Sequence, residues 1–398
     1  MKKIVSAAMA ILLVLAMASC GSGSTGQQEG SEQPEVIKVG WIGALSGDQA
    51  PWGKCESQAL QMYIDEQNAA GGVLGRQLEL VTYDTKGDAN ESVNAVKRLI
   101  ANDGVAAILG PNASASAIAI KGALNEGQVP DIATVATNPE ITVNKDGTIN
   151  EYNFRICFTD PYQGAVAGGY AADELGAKTA AVLYDVASDY SQGFTEFFVE
   201  TFEAKGGTVV AQEGFKAGDT DFRPQLTKIK EADPDVILMP YFYKEVALSA
   251  NQARELGIDA VFMGGDGWPS DTLFEMAGPA IEGSIVVNHF DYNDPAAAEI
   301  TAAYLEKYGV APEINAYMVH DAFDLLVAAI EKAESADSAA IADALTQVEV
   351  AGVTGTIKLG EDTHDPVGKE AAIQQIVKSD TAEDGYEYKY IMKYTPDN

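Results

Sequence analysis

Two polar side chains follow predicted buried strands, where they could contact a small charged molecule. Ser114 comes after the strand 105–109 and begins a predicted helix, so its hydroxyl and the free N–H groups of that helix suit a carboxylate. Asp266 follows the strand 260–263 within a Gly-Gly-Asp-Gly segment and supplies a negative charge. An ordinary helix N-cap for Ser114 and a turn residue for Asp266 are the alternatives. The residue types alone leave both alternatives open.

Motifs for catalysis or for holding a cofactor are missing from the sequence. The segment 21–26 matches G-x-G-x-x-G, but it follows no strand and opens no helix, so it does not predict dinucleotide binding. His289, His320 and His364 are scattered without the spacing of a metal site or of an acid–base pair. Neither a P-loop nor a nucleophile elbow occurs. We therefore predict no enzymatic activity, no cofactor and no metal site.

The elements that must position these side chains alternate between strand and helix. One alternating block covers residues 36–136 and a second covers 162–263, which predicts two doubly wound α/β lobes with parallel sheets. Helices near 295–308, 317–334 and 338–346 follow, and then short strands at 354–358, 371–378 and 386–394 that suggest antiparallel additions. Ligands of open α/β sheets bind beyond the carboxyl ends of the strands. The residues directly after strands are therefore the site candidates.

The N-terminus carries an export pattern. Lys2 and Lys3 precede an apolar stretch at 4–17, which is too short to cross a bilayer but has the length of a signal-peptide core. The stretch ends in Leu-Ala-Met-Ala-Ser-Cys at 15–20, which resembles the lipobox of bacterial lipoproteins, with Cys20 as the lipid attachment site. An ordinary secretory signal with a chance cysteine is the alternative. We predict a signal peptide at 1–19 and a flexible tether at 20–34.

Composition limits the class of partner. The chain has 398 residues, of which 46% are hydrophobic, and that length fits two lobes with full cores. A formal net charge of -33 repels nucleic acid and anionic lipid, so we predict no nucleic-acid partner, membrane contact through the lipid anchor only, and a soluble monomer. Outside the signal region, Cys55 and Cys157 either pair or remain free thiols.

Several segments resemble the leucine/isoleucine/valine-binding proteins, in order and with similar spacing from about 36 to about 360. The matching segments are 42–53, 68–76, 81–84, 109–114, 136–140, 252–257 and 262–267. The resemblance implies the Venus-flytrap fold of type 1 periplasmic binding proteins, with Rossmann-like lobes joined by a three-crossover hinge near 154–158, 286–290 and 364–370. It implies a first lobe of 35–156 plus 289–366 and a second lobe of 157–288 plus 367–398.

The resemblance also assigns roles to residues in an interlobe cleft. Ser114 would hold the ligand carboxylate, while Thr137, the Val135 carbonyl and Asp266 would hold the ammonium group. Aromatic side chains would surround the ligand, and Tyr241 or Tyr243 could replace Phe242 in that role. No Lys or Arg falls at a matched position, which favours a neutral, apolar ligand side chain. The full predicted set is Trp52, Ala113, Ser114, Val135, Ala136, Thr137, Tyr190, Phe242 and Asp266.

The function implied by the resemblance is a substrate-binding lipoprotein of an ABC importer. It would bind a small amino acid, branched-chain first among the options, on the outer face of the cell membrane or in the periplasm, and deliver it to ABC permease subunits. The same fold with an amide, urea or aromatic acid as its ligand is one alternative. A tethered sensor that presents its ligand to a receptor is another.

Overall fold

The computed structural model describes residues 36–382 and 384–396. The predicted signal peptide 1–19 and the tether 20–34, which includes Cys20, lie outside the described residues. Within the described ranges, no helix combines the length and the apolar character that a membrane crossing requires.

The first lobe is built on a parallel sheet of five strands in the order β2-β1-β3-β4-β5. Val39, Trp41 and Ile42 of the inner strand β1 are fully buried, as expected for a strand covered on both faces. The strands are β1 (Ile37–Gly43), β2 (Leu78–Asp84), β3 (Ala107–Leu109), β4 (Asp131–Ala133) and β5 (Asn153–Arg155). The helices between them are α1 (Ala50–Ala69), α2 (Ala89–Arg98) and α3 (Ser114–Gly127).

The second lobe begins after β5 and repeats the alternation. Its helices are α4 (Asp160–Asp173), α5 (Asp189–Ala204), α6 (Arg223–Ala232), α7 (Tyr243–Glu255) and α8 (Asp271–Ala277). Its parallel strands are β6 (Thr179–Asp185), β7 (Thr208–Phe215), β8 (Val236–Leu238), β9 (Val261–Gly264) and β10 (Ile285–Asn288).

The C-terminal third of the chain is shared between the two lobes. Three helices return to the first lobe, where α10 packs on α1: α9 (Ala298–Tyr308), α10 (Ile314–Ala333) and α11 (Ser338–Leu345). A hairpin of β11 (Glu349–Gly352) and β12 (Gly355–Lys358) follows, and then β13 (Ala371–Lys378) and β14 (Tyr386–Tyr394). These last two strands extend the second sheet in antiparallel pairing, which gives the order β14-β13-β10-β9-β8-β6-β7.

The predicted fold class is confirmed. Two α/β lobes are present, and the chain passes between them three times, after β5, after β10 and after β12. Four short strands and helices were not predicted from the residue pattern, because segments of three to seven residues are too short to show a clear periodicity. They are β5, α8, β10 and β11. The predicted strand at 354–358 is present as β12, which pairs antiparallel with β11 in a separate two-stranded sheet.

Arg155, the last residue of β5, ties the hinge to a strand-end loop of the first lobe. Its guanidinium is fully buried and lies 2.5 Å from the Asp365 carboxylate on the third crossing. The same group donates to the carbonyl oxygens of Asn138 at 2.8 Å and of Ala136 at 3.3 Å. One buried cation therefore holds both the loop after β4 and a hinge strand.

We predict that Arg155→Met lowers the free energy of unfolding by about 3–5 kcal/mol, because removing one partner of a buried ion pair leaves the other partner and its acceptors unpaired. Urea unfolding followed by circular dichroism measures the change.

Arg223→Met is the matched control, because Arg223 pairs with Asp221 and Glu255 at the surface, where ion pairs stabilise little. We expect its unfolding curve to stay close to that of the wild type. Equal shifts for the two variants would contradict the structural role given to Arg155.

Candidate functional site

A small cavity lies where the strand-end loops of the two lobes meet. Its volume is about 20 Å³. A cavity that holds benzene measures roughly 150 Å³, so the lobes or the side chains must move before a molecule of amino-acid size can enter. The structure brings six of the nine predicted site residues into its wall. The lining residues are Trp52, Asn112, Ser114, Val135, Tyr190, Phe242, Asp266, Gly267, Ile314 and Asn315.

Ser114 occupies the first position of α3, directly beyond β3. Ala113 before it has the extended backbone of an N-cap residue, and no side chain among the described residues caps this helix. The N-cap alternative for Ser114 is therefore wrong. Its hydroxyl accepts a hydrogen bond from the Asn138 backbone N–H at 3.3 Å. The uncapped N–H groups and the helix dipole give this end of the cavity a partial positive charge that suits an anion.

The loop after β4 carries three predicted residues, but only Val135 lines the cavity. Thr137 is fully buried beside it, and its carbonyl oxygen accepts from the backbone N–H of Asp160 at 2.8 Å. The Ala136 carbonyl faces Arg155 and the Cys157 thiol. Three predicted residues thus lie at this sheet edge without reaching the cavity wall: Ala113, Ala136 and Thr137. Their part in ligand binding remains a prediction.

Three aromatic side chains form the apolar part of the wall. The rings of Tyr190 and Phe242 stack, with centroids 5.6 Å apart and planes 4° from parallel. Trp52 meets Phe242 edge-on at 5.4 Å. The neighbours of Phe242 have other partners, since the Tyr241 hydroxyl lies 2.8 Å from the Ser249 hydroxyl and the Tyr243 hydroxyl donates to the Asp48 carbonyl. Phe242 is therefore the residue of this trio that faces the cavity.

Asp266 provides the negative charge in the second lobe's share of the wall. Its Oδ1 accepts from Gln163 Nε2 at 2.8 Å, and its Oδ2 lies 3.3 Å from His289 Nε2. Burial lowers the pKa of His289, although the adjacent carboxylate opposes the shift, so the ring is neutral at pH 7. No Lys or Arg is among the lining residues. The carboxylate therefore has hydrogen-bond donors but no cation in the cavity wall.

The two lobes also touch at the rim of the cavity. Trp52 Nε1 donates to the Pro269 carbonyl at 2.8 Å, and Ser270 Oγ donates to Glu313 Oε1 at 3.3 Å. Burial raises the pKa of Glu313 to about 8, and the charge of nearby Asp271 adds to the shift. Burial and the Asp271 charge therefore favour the protonated form of this carboxyl group, and they outweigh the hydrogen bond from Ser270, which lowers its pKa.

Sequence reasoning missed four lining residues. Asn112 follows β3 by three positions, so the strand-end rule could have found it. Ile314 and Asn315 were not predicted, because α10 begins at residue 314 and the prediction began it at 317. Gly267 has no side chain to notice, yet a Cβ there would lie 3.1–3.2 Å from the rings of Phe242 and Tyr190. A larger residue at 267 would push these rings apart.

The two cysteines near the cleft are free and buried. Cys55 Sγ accepts from the Glu313 backbone N–H at 3.2 Å, whereas Cys157 Sγ donates to the Ala136 carbonyl at 3.3 Å. Burial raises the pKa of Cys55 to about 12 and also raises that of Cys157, so both stay protonated.

Across the described residues, no cluster of His, Cys, Asp or Glu could hold a metal ion.

Comparison with known proteins places this geometry in a family. The sequence profile described as "Periplasmic binding protein" matches residues 36–382. The "Leucine-, isoleucine-, valine-, threonine-, and alanine-binding protein" of Pseudomonas aeruginosa is 32% identical over 328 residues, which cover 82% of this chain and 86% of that protein.

Two solved structures are similar in both sequence and shape. The leucine binding protein LivK from Thermotoga maritima has a TM-score of 0.82 and 32% identity, over 90% of this chain and 99% of that one. LivJ from Streptococcus pneumoniae, a branched-chain amino acid transporter substrate binding protein in complex with isoleucine, has a TM-score of 0.80 and 31% identity, over 90% of this chain and 100% of that one. The chain therefore belongs to the periplasmic binding protein family, in its leucine/isoleucine/valine-binding group.

Proposed function

We propose that this protein captures a small neutral amino acid, branched-chain in the first instance, and delivers it to an ABC importer. The observation that carries the proposal is the pairing of charges in the cavity wall. The N-terminus of α3 with Ser114 offers donors for a carboxylate, and Asp266 offers a carboxylate that no Lys or Arg of the wall neutralises. An amino acid zwitterion satisfies both ends at once.

The choice of a neutral ligand side chain rests on the remaining wall. Trp52, Tyr190 and Phe242 offer apolar ring surface. The relatives that bind leucine, isoleucine and valine support a branched-chain ligand. A sensor with the same ligand would need a receptor instead of permease subunits.

The small volume of the cavity supports a hinge motion that opens and closes the site. We propose lobes of 35–156 plus 289–366 and of 157–288 plus 367–398, which rotate about the three crossings. Each lobe holds one end of the zwitterion, so the ligand stabilises the closed state through contacts that the open state lacks. The closed monomer would then dock on the permease.

Anchoring outside the cytoplasm completes the proposal. The sequence before residue 36 supports a leader at 1–19, a lipid on Cys20 and a tether at 20–34. The lipid would keep the protein near its permease, while the tether would leave the lobes free to turn.

Asp266→Asn should weaken binding of the preferred amino acid by at least about 30-fold, since losing one partner of a desolvated charge pair costs ~2–5 kcal/mol. Calorimetric titration with each of the twenty amino acids measures the loss. Asp380→Asn removes an exposed carboxylate of the same lobe and should change nothing. Unchanged affinity in Asp266→Asn would remove this residue from the site.

Affinity should fall as pH rises from about 5 to about 8. In the open state Glu313 regains an ordinary pKa near 4.5, so closure takes up a proton until the pH passes its closed-state pKa of about 8. The proton stabilises the closed state fully below the open-state pKa of Glu313. This stabilisation is lost as the pH rises above the closed-state pKa. Calorimetry at pH 5.5 and 8.5 should differ by at least about tenfold in affinity.

Glu313→Gln keeps the contact with Ser270 but cannot ionise, so its affinity should be nearly independent of pH. Glu331→Gln, an exposed change on the same helix, should retain the wild-type slope. A wild-type pH profile in Glu313→Gln would show that another group takes up the proton.

Labelling of producing cells with radioactive palmitate should mark the wild-type protein but not Cys20→Ala, because the thiol is the point of attachment. Cys55→Ala should keep the label. Label that persists in Cys20→Ala would end the lipoprotein proposal.

A further inference from the structure

Two carboxamide side chains stand in the first lobe's part of the cavity wall. Asn112 lies between β3 and α3, and Asn315 is the second residue of α10. The proposed contacts with the zwitterion use Ser114 and Asp266, so neither amide has been given a partner on the ligand. A purely apolar ligand side chain gives them nothing to bind.

Glu56 of α1 lies behind these amides and is fully buried. Its Oε1 accepts from Thr134 Oγ1 at 2.7 Å, and its Oε2 accepts from Asn315 Nδ2 at 3.2 Å. The Asn112 amide is directed at the same carboxyl group, and its buried Nδ2 has no other partner among the described residues. Glu56 thus fixes the orientation of both amides.

The orientation of Asn315 determines what it offers to a ligand. Because its Nδ2 is bound to Glu56, the polar atom that remains is its carbonyl oxygen, an acceptor. The Asn112 amide has its nitrogen on the same side, so it too keeps a carbonyl oxygen as an acceptor. A hydroxyl can donate to either oxygen, whereas a methyl group would leave both unpaired and lose affinity.

We propose that Asn112 and Asn315, held in place by Glu56, recognise a hydroxyl on the ligand side chain, so that the site prefers threonine to valine, which has the same shape. This inference rests on the proposed function, because it assumes an amino acid bound by its zwitterion. Glu56 acts as a positioning residue, and the two asparagines touch the ligand. Sites built to bond a hydroxyl reject analogues that lack it far more strongly than apolar pockets separate neighbouring aliphatics.

Calorimetric titration of the folded mature protein with threonine and with valine tests the inference. We expect threonine to bind at least tenfold more tightly, which corresponds to about 1.4 kcal/mol. Glu56→Leu removes both acceptor oxygens, so Asn315 loses its partner and its amide is no longer held in one orientation. Asn112→Leu removes one of the two carbonyl acceptors. Both variants should bring the threonine-to-valine affinity ratio down by several-fold, and Asn112→Leu should keep or improve the affinity for valine.

Asn251→Leu, a change of the same type outside the cavity wall, should keep the wild-type ratio. A general loss of stability would weaken both ligands together and leave the ratio unchanged, so the ratio reports recognition rather than folding. If Glu56→Leu fails to fold, the ratio measured for Asn112→Leu tests the inference by itself, because Asn112 is only partly buried.

The outcomes separate this inference from the proposed function. Equal affinities in the wild type, or tighter binding of valine, overturn the hydroxyl preference and leave amino-acid capture intact; the amides would then serve the ligand's carboxylate. A threonine preference that survives in both variants overturns the roles of the two asparagines. Failure of every amino acid to bind removes the proposed function, and this inference with it.

Discussion

Burying a carboxylate without a neighbouring cation costs free energy, and Asp266 carries this cost in the site. Asp266 receives hydrogen bonds from Gln163 and lies against the neutral ring of His289, but neither brings a positive charge. The opposite lobe presents the uncapped start of α3. Under the proposed function, the ligand's ammonium group supplies the missing charge, and closing the lobes is the step that joins the two halves.

Parallel strands place their carboxyl ends along one edge of each sheet, and this rule is why sequence reasoning located much of the site. Ser114, Val135 and Asp266 each follow a strand, and each lines the cavity. The aromatic residues Tyr190 and Phe242 came from family resemblance, since the start of a helix gives no hint of the direction its side chain takes.

Other parts of the site could not be predicted because they depend on pairing between distant segments. Asn315 reaches the cavity only because α10 begins one turn earlier than its apolar periodicity indicated. His289 follows a four-residue strand that carries no clear pattern, and it meets Asp266 only in the folded hinge. Arg155 stood in a segment that only the family resemblance assigned to the hinge, and no sequence pattern indicated that it orders the loop that carries Val135. Thr137 lies at the expected sheet edge but behind the wall.

The repeated passage of the chain between the lobes means that neither lobe is a continuous stretch of sequence. The first lobe's core needs α10, which packs on α1 and whose Ala316 carbonyl accepts from the Tyr63 hydroxyl at 3.0 Å. During synthesis, α1 emerges some 250 residues before that partner. The apolar face that α1 buries against α10 therefore stays uncovered until the late helices are made. Such a delay exposes apolar surface to other chains, so protection by a chaperone is valuable in the interval.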